Sequence, residues 1–536
     1  MRRAVALGAW IAGAALAPLH AQVTDPEPRI PIARVSRPPL RETVTLPEFE
    51  VSIRRVTGDN KDKLCLPGRP CPDPRANWGT HSTHHGFKDQ PWNADESLLW
   101  LRNTGANAWP TGLMLDAITY APAGVCPEYS SVLQGGDDRW HPDPARKNVR
   151  VAVSGRAPKR LVWYDVVACR LLEEAWIPAE SGFTASGIGD GEGNLSADGR
   201  YTFLHDRERL LGRLVDMRPT RPCPVGAPPS GGMCFGPVIP LACGVAGVTC
   251  SIGHSGITPS GARVVVKYAV KGKEGGKDDM LRVYDTDLAR LTLTPRRFPM
   301  DPPCRATSDI PTEPGREGFI FRLAHEDLAS NPFEGGREYA IGARRKACGD
   351  DPMNRVVMVD LETGAATPIS MGDPRTEAAP HHVSARASRR PGWVYVTYRS
   401  DSRCVSLSAC RFSDEVVALR MSGGSGRACE RYGHVRSDLD VAKGDDDDEG
   451  HAVPSLDGRH ILFRSTWSRA DACSPPLSCS PTGQINAYVM EKVIADKATA
   501  PPSAPAGGKP GGDVRRDLLR APVPRVDAED GRPVPR

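Results

Sequence analysis

Imidazole is the side chain best suited both to hold a transition metal and to move a proton near neutral pH, and the chain carries 13 histidines. His84, His85, His141, His254, His381, His382 and His451, with Asp190, occupy one phase: each stands shortly before a polar turn that leads into an aromatic and β-branched run. If those runs are strands of a repeat, these residues converge near one axis, where neutral imidazoles can bind a divalent metal or an anion. A repeated histidine that bonds the backbone of the neighbouring unit is the other reading, and both stay open. Two acidic stretches offer oxygen ligands for Ca2+. Asp445–Asp448 with Glu449 follow Asp438 and Asp440, while Gly189-Asp190-Gly191-Glu192-Gly193-Asn194 alternates ligand and glycine. Each is also readable as a solvated loop.

The elements that must position these groups emerge from self-similarity along the chain. Ser196-Ala197-Asp198-Gly199-Arg200 precedes Tyr201–Leu204, and Ser455-Leu456-Asp457-Gly458-Arg459 precedes His460–Phe463. Weaker copies start near Asn93, Pro259 and Arg390, and two degenerate ones near Arg146 and Gly315. Turn positions near 95, 147, 198, 260, 316, 391 and 458 leave gaps of 52, 51, 62, 56, 75 and 67 residues. Such gaps match the four-stranded blades of a β-propeller. Outer strands follow at Arg160–Asp165, Met280–Asp285 and Arg355–Asp360, each ending in an Asp-led turn. The expectation is an all-β propeller of seven blades, with six as the alternative.

This repeat resembles that of the TolB-like propeller family, whose blades carry a Ser-Pro-Asp-Gly-Lys or -Arg turn; Ala197 and Leu456 stand where the family has Pro. His382–Trp393 and Gly450–Gly458 look like the oligogalacturonate-lyase-like branch, and the resemblance spans roughly residues 80–495. It implies a metal, Mn among the candidates, held by several His and a Gln, which neutralises a uronate carboxylate for β-elimination. His382, His451 and His254 would then be ligands, and Arg386, Arg389 and Arg390 would meet substrate carboxylates. The family places a Gln and a second His where this chain has Glu449 and Val453. A ligand- or partner-binding role therefore stands first, with a metal-dependent polysaccharide lyase as the alternative. Ring nitrogens of His85, His254, His382 and His451 within one coordination sphere would favour the enzyme.

Composition narrows the class. The 53 Gly and 51 Pro among 536 residues argue against a mostly helical chain. A net charge of +4 with no Lys/Arg run gives no footprint for nucleic acid, so an envelope protein or a polysaccharide is the expected partner. Residues 1–21 read as a signal peptide, with Arg2-Arg3, an apolar run over Ala4–Ala17 and a small Ala21. No later run is long and apolar enough for a transmembrane segment, which points to the periplasm or to secretion. Residues 22–45 read as an extended segment, 46–495 as the propeller and 496–536 as a disordered Pro/Gly-rich tail, with a closing strand near Thr43–Ile53.

The 15 cysteines suit an oxidising compartment. Cys65/Cys71, Cys404/Cys410 and Cys473/Cys479 share one short spacing, Cys243/Cys250 and Cys223/Cys234 are looser pairs, and Cys429 is the expected leftover. Gly253-His254-Ser255-Gly256 lacks the second glycine position of a nucleophile elbow, and no zincin, phosphate-loop, dinucleotide or haem motif occurs. The tryptophans at 92, 100, 109, 140, 163, 176, 393 and 467 could stack on sugars but fit blade core better.

Overall fold

The structure, a computed structural model, describes residues 30–491 except 34, 47, 65–72, 125, 127–128, 130–137, 156–157, 190–191, 242–248, 272–276, 299–318, 322, 345–354, 371–375, 400–409, 423–427, 438–449 and 468–483. The expected signal peptide, the C-terminal tail, the acidic run before His451 and the Cys65/Cys71 and Cys473/Cys479 pairs lie outside these residues.

Short strands pair into six sheets among the described residues, one of nine strands, two of five and three of four. Successive sheets use successive stretches of chain, each running antiparallel from an inner to an outer strand, as in Pro380–Ser384, Trp393–Tyr398, Glu415–Arg420 and Cys429–His434. Apolar clusters fill the space between consecutive sheets all the way round. One joins Tyr395 and Val416 to Ile461 and Tyr488, and the next joins Leu462 and Val489 back to Leu99 and Leu113. A ring of sheets packed face to face is a β-propeller. Because each sheet is covered on both faces, strands such as Val149–Val153 are buried at every residue and read as apolar runs, not as an alternation.

Strands from the two ends of the chain close the ring. Val51–Arg55 pairs with Ile485–Glu491, which also pairs with His460–Ser465, and Thr43–Leu46 adds outside Val51–Arg55. Arg37 fastens this seam, donating from Nε to the Tyr488 hydroxyl at 3.1 Å and from a terminal nitrogen to Asn486 Oδ1 at 2.6 Å. The nine-stranded sheet has two halves, because His81–Thr83 pairs in parallel with Ile485–Glu491 before leading into Leu98–Thr104.

The repeated turn has a side-chain cause. Ser196 Oγ accepts the Tyr201 N–H at 2.8 Å and bonds Asp198 at 2.6 Å, while Gly199 takes φ of +67°. Ser455, Asp457 and Gly458 reproduce this, with the His460 N–H 3.1 Å from Ser455 Oγ. Asn93 and Thr258 supply the same acceptor to the N–H groups of Leu98 and Arg263. An oxygen that accepts five residues ahead fixes where each inner strand ends and the next begins.

One turn differs from the sequence reading. Phe319–Phe321 pairs with Lys277–Asp287 of the preceding sheet, and the fifth inner strand is Leu323–Asn331, ended by a turn over Pro332–Glu334 and Gly335-Gly336. Asn331 Oδ1 accepts the Phe333 N–H at 3.1 Å, so an Asn-Pro turn serves this sheet where the degenerate turn at Gly315–Gly318, outside the described residues, was expected to.

Cys223–Cys234 is a disulfide, and Cys126–Cys169, separated by 43 residues, is a second one that the short spacings did not indicate. Cys250 and Cys410 are disulfide-bonded as well, with their expected partners Cys243 and Cys404 outside the described residues. Cys429 is buried. Disulfides fit an oxidising compartment, and among the described residues no helix is long and apolar enough to cross a membrane.

Candidate functional site

His254, His325, Glu326, His381 and His382 lie on inner strands, and His84, Lys88, Glu192 and His451 lie on the segments that lead to the repeated turns. Counting back four residues from the turn acceptors Asn93, Ser196, Thr258, Asn331 and Ser455 gives Asp89, Glu192, His254, Asp327 and His451. Neighbours of these positions meet in two layers along the channel.

The first layer is imidazole. Side-chain nitrogens of His325, His381 and His382 all lie within 4.8 Å of one another. His451 packs against His382 at 3.9 Å between ring centroids, and Phe87 lies 4.7 Å from His382 and 5.9 Å from His325. His84 sits beside them, its Nε2 hydrogen-bonded to the His451 carbonyl. Burial, followed by the Arg464 charge and the neighbouring imidazoles, drives the His451 pKa well below its ordinary value, and burial brings His84 down to about 3. Rings kept neutral in this way retain lone pairs, the state a metal requires.

The second layer is charged. Lys88 Nζ lies 2.7 Å from Glu192 Oε2, 2.8 Å from His254 Nε2 and 3.4 Å from Glu326 Oε1, while Lys267 reaches Glu326 Oε2 at 3.6 Å. His254 Nδ1 is 3.2 Å from Glu192, and its Nε2 closely approaches Glu326. Burial opposes charge on both carboxylates, yet Lys88 and His254 outweigh it and hold Glu192 and Glu326 below the carboxylate range. Burial likewise opposes the Lys88 ammonium, and the two glutamates overcome it and raise its pKa.

Beyond the charged layer, towards the turns, a cleft of about 560 Å³ opens. Arg386 forms its floor, held by Asp327 in a two-pronged pair of 2.6 and 2.9 Å. Arg389 lies on the rim and bonds Glu96 at 3.1 Å. Arg139, Trp92, Trp140 and Asn194 also line this space. Arg390 is placed elsewhere: it pairs with Glu430 and covers the Trp393 ring at 4.2 Å.

Of the four expected metal ligands, the structure therefore brings His382 and His451 together, puts His254 in the charged layer, and sets His85 apart, where desolvation and then Arg102 and Arg139 lower its pKa. Most of the tryptophans are core, and Trp176, half exposed on an outer strand, is the exception.

No family model and no curated protein matches the chain. Solved structures similar to it include Sqt1 of Saccharomyces cerevisiae, at 8% identity over 60% of this chain and 67% of that one, with a TM-score of 0.34. Dihydro-heme d1 dehydrogenase NirN, in complex with DHE, shares 11% identity over 73% and 70%, at 0.31. The periplasmic gluconolactonase PpgL of Pseudomonas aeruginosa shares 17% over 54% and 69%, at 0.29. The strand pairing, not these likenesses, carries the fold.

Sequence reasoning missed His325, Glu326 and Lys88. The first two sit on Leu323–Asn331, and the usable signal was Asn331-Pro332 followed by Gly335-Gly336, a stop of a different kind from Ser-Asp-Gly. Lys88 stands five residues before its turn acceptor, a position at which Gly191, Gly253 and Gly450 occur in other repeats, so no repeated residue type marked it.

Proposed function

We propose that the chain is an exported propeller of seven blades, TolB-like in its repeat, that serves the cell envelope as a ligand- or partner-binding module with its ligand in the turn-face cleft. The blade number counts the two halves of the nine-stranded sheet separately. The cleft is the observation that carries this reading: at about 560 Å³ it has the size of a small-molecule site, and the lining side chains that bear a permanent charge are Arg139, Arg386 and Arg389. Guanidinium beside indole suits a carboxylate-bearing saccharide, one for the charge and the other for the ring face. Titration calorimetry should find binding of uronate oligomers but not of neutral oligomers of equal length, and Ser388→Trp, which fills the cleft, should abolish it. Absence of binding, or binding that ignores Ser388→Trp, overturns the reading.

A second reading, a metal-dependent polysaccharide lyase of the oligogalacturonate-lyase-like kind, is favoured by one observation, the approach of His325, His381 and His382. An all-imidazole set suits a transition metal and not Ca2+. Such an ion would supply a Lewis acid for a substrate carboxylate. Untagged protein should contain about one metal per chain by mass spectrometry, lost in His381→Ala/His382→Ala together with release of unsaturated product from uronate polymers. Metal-free protein that releases no such product defeats this second reading.

A further inference from the structure

The cleft continues past its rim between the fifth and sixth sheets. Gly392, Trp393 and Met421 line it on that side, and the ring of Phe333 lies over Gly392, where a Cβ would stand 2.5 Å from Phe333 Cε2. The turn that carries Phe333 is fastened to this wall, with Asn331 Nδ2 donating to the Met421 carbonyl at 2.5 Å and the Met421 N–H to the Gly392 carbonyl at 2.8 Å. Phe333 is half exposed all the same, a state that Trp176 alone shares among the described aromatic residues. Arg420, the last residue of Glu415–Arg420, covers the Phe333 ring at 4.4 Å and pairs with no carboxylate among the described residues. At the cleft wall the same arrangement recurs with its charge neutralised: Arg390 covers Trp393 at 4.2 Å and is held by Glu430. Arg386 and Arg389 are likewise held by Asp327 and Glu96. Arg420 thus brings to the rim a charge that is left for a ligand to meet.

An oligouronate repeats one carboxylate and one apolar ring face on every unit. Each unit held beyond the first therefore asks for another cation and another aromatic face along its path. We propose that Phe333 and Arg420 form an outlying subsite for a further unit of a carboxylate-bearing oligosaccharide, with the sugar face on the benzyl ring and the carboxylate on the guanidinium. The protein then binds a chain that leaves the cleft between the fifth and sixth sheets, and not a single sugar. This subsite rests on the reading of the cleft as the ligand site, and it adds the length of ligand that the site recognises.

Full-length wild type, Phe333→Ser and Arg420→Gln are titrated calorimetrically with a uronate disaccharide and a uronate hexasaccharide. Neither residue belongs to an apolar cluster between sheets, so both variants should melt close to the wild type. Both should bind the disaccharide as the wild type does and the hexasaccharide about five- to tenfold more weakly. Sliding of a longer chain through several registers raises the affinity of all three proteins alike, so the comparison between proteins isolates the subsite. Added salt should erode the hexasaccharide preference of the wild type more than that of Arg420→Gln. Unchanged hexasaccharide affinity in either variant, or an equal loss at both lengths, overturns the subsite and leaves the reading of the cleft standing. A wild type that binds neither length overturns both.

Discussion

The two layers of the channel are built from equivalent positions of the same repeat and differ in how they satisfy burial. Around Phe87, imidazoles stack on one another and shed their charge, with His84 down to about 3 and His451 well below its ordinary pKa. Around Lys88, buried Lys88 and Glu326 and half-exposed Glu192 keep their charges because each sign faces the other at 2.7–3.6 Å. The repeat thus fixes where a side chain arrives, and the neighbouring blades decide whether it is a neutral ligand or half of an ion pair. Phase alone cannot distinguish His451 from His254, because each stands four residues before its turn acceptor, Ser455 and Thr258.

The comparison breaks most sharply when one charge is removed. Glu326→Ala takes from Lys88 and Lys267 the carboxylate they share, and loss of one partner of a buried ion pair costs about 3–5 kcal/mol. His325→Ala, in the imidazole layer, leaves no uncompensated charge and should cost about 1–2 kcal/mol. Urea denaturation of the two variants measures the difference. Equal losses would mean that the charged layer is solvated and holds the blades no more firmly than the imidazoles do.

A histidine outside both layers sharpens the baseline. His141, in the wall of the cleft, is brought down to about 4 by burial first and then by Arg146 and Arg218, with Asp143 and Asp198 acting in the opposite sense. Its Nδ1 accepts the Asp143 N–H at 3.2 Å, as a neutral ring can. Below the unfolded value of about 6.5 the unfolded chain takes up a proton that the folded chain refuses until the pH approaches 4, so stability falls as pH drops through that window. The loss is up to about 3 kcal/mol, and His141→Gln should flatten the stability curve between those two values. The glutamates of the charged layer act in a more acidic window. Their depressed pKa values supply stability above the unfolded carboxylate range that is lost only as pH falls through the folded values.

Legibility in the sequence followed physical range. Ser196–Arg200 and Ser455–Arg459 could be read because their hydrogen bonds close within five residues, and Cys223–Cys234 because its loop is short. His382 and His451, both read as preceding a turn, stand ring on ring. Lys88 with Glu326 could not be read, since that pair joins residues 238 apart and its inner strand carries an irregularity between Ala324 and Asp327 that shifts the count by a residue. Cys126–Cys169 joins segments that only the folded blades bring near, and connectivity of that kind is absent from spacing. Arg390 illustrates the converse: adjacent in sequence to Arg389, it turns into its own sheet toward Glu430 and Tyr395.

The smallest effect tests whether the turns are indifferent to what they position. Ser196 closes the segment that delivers Glu192 to the charged layer, and Ser455 closes the one that delivers His451 to the imidazoles. Each serine contributes one acceptor to a backbone N–H and one bond to an aspartate, so Ser196→Ala and Ser455→Ala should each cost about 1 kcal/mol. Equality is the informative result, because it would place the cost in the turn itself and leave both layers intact. A loss at Ser196 several times that at Ser455 would instead mean that the turn holds Glu192 against Lys88, where a small displacement is penalised by unpaired charge, while the imidazole layer tolerates the same displacement by sliding ring on ring.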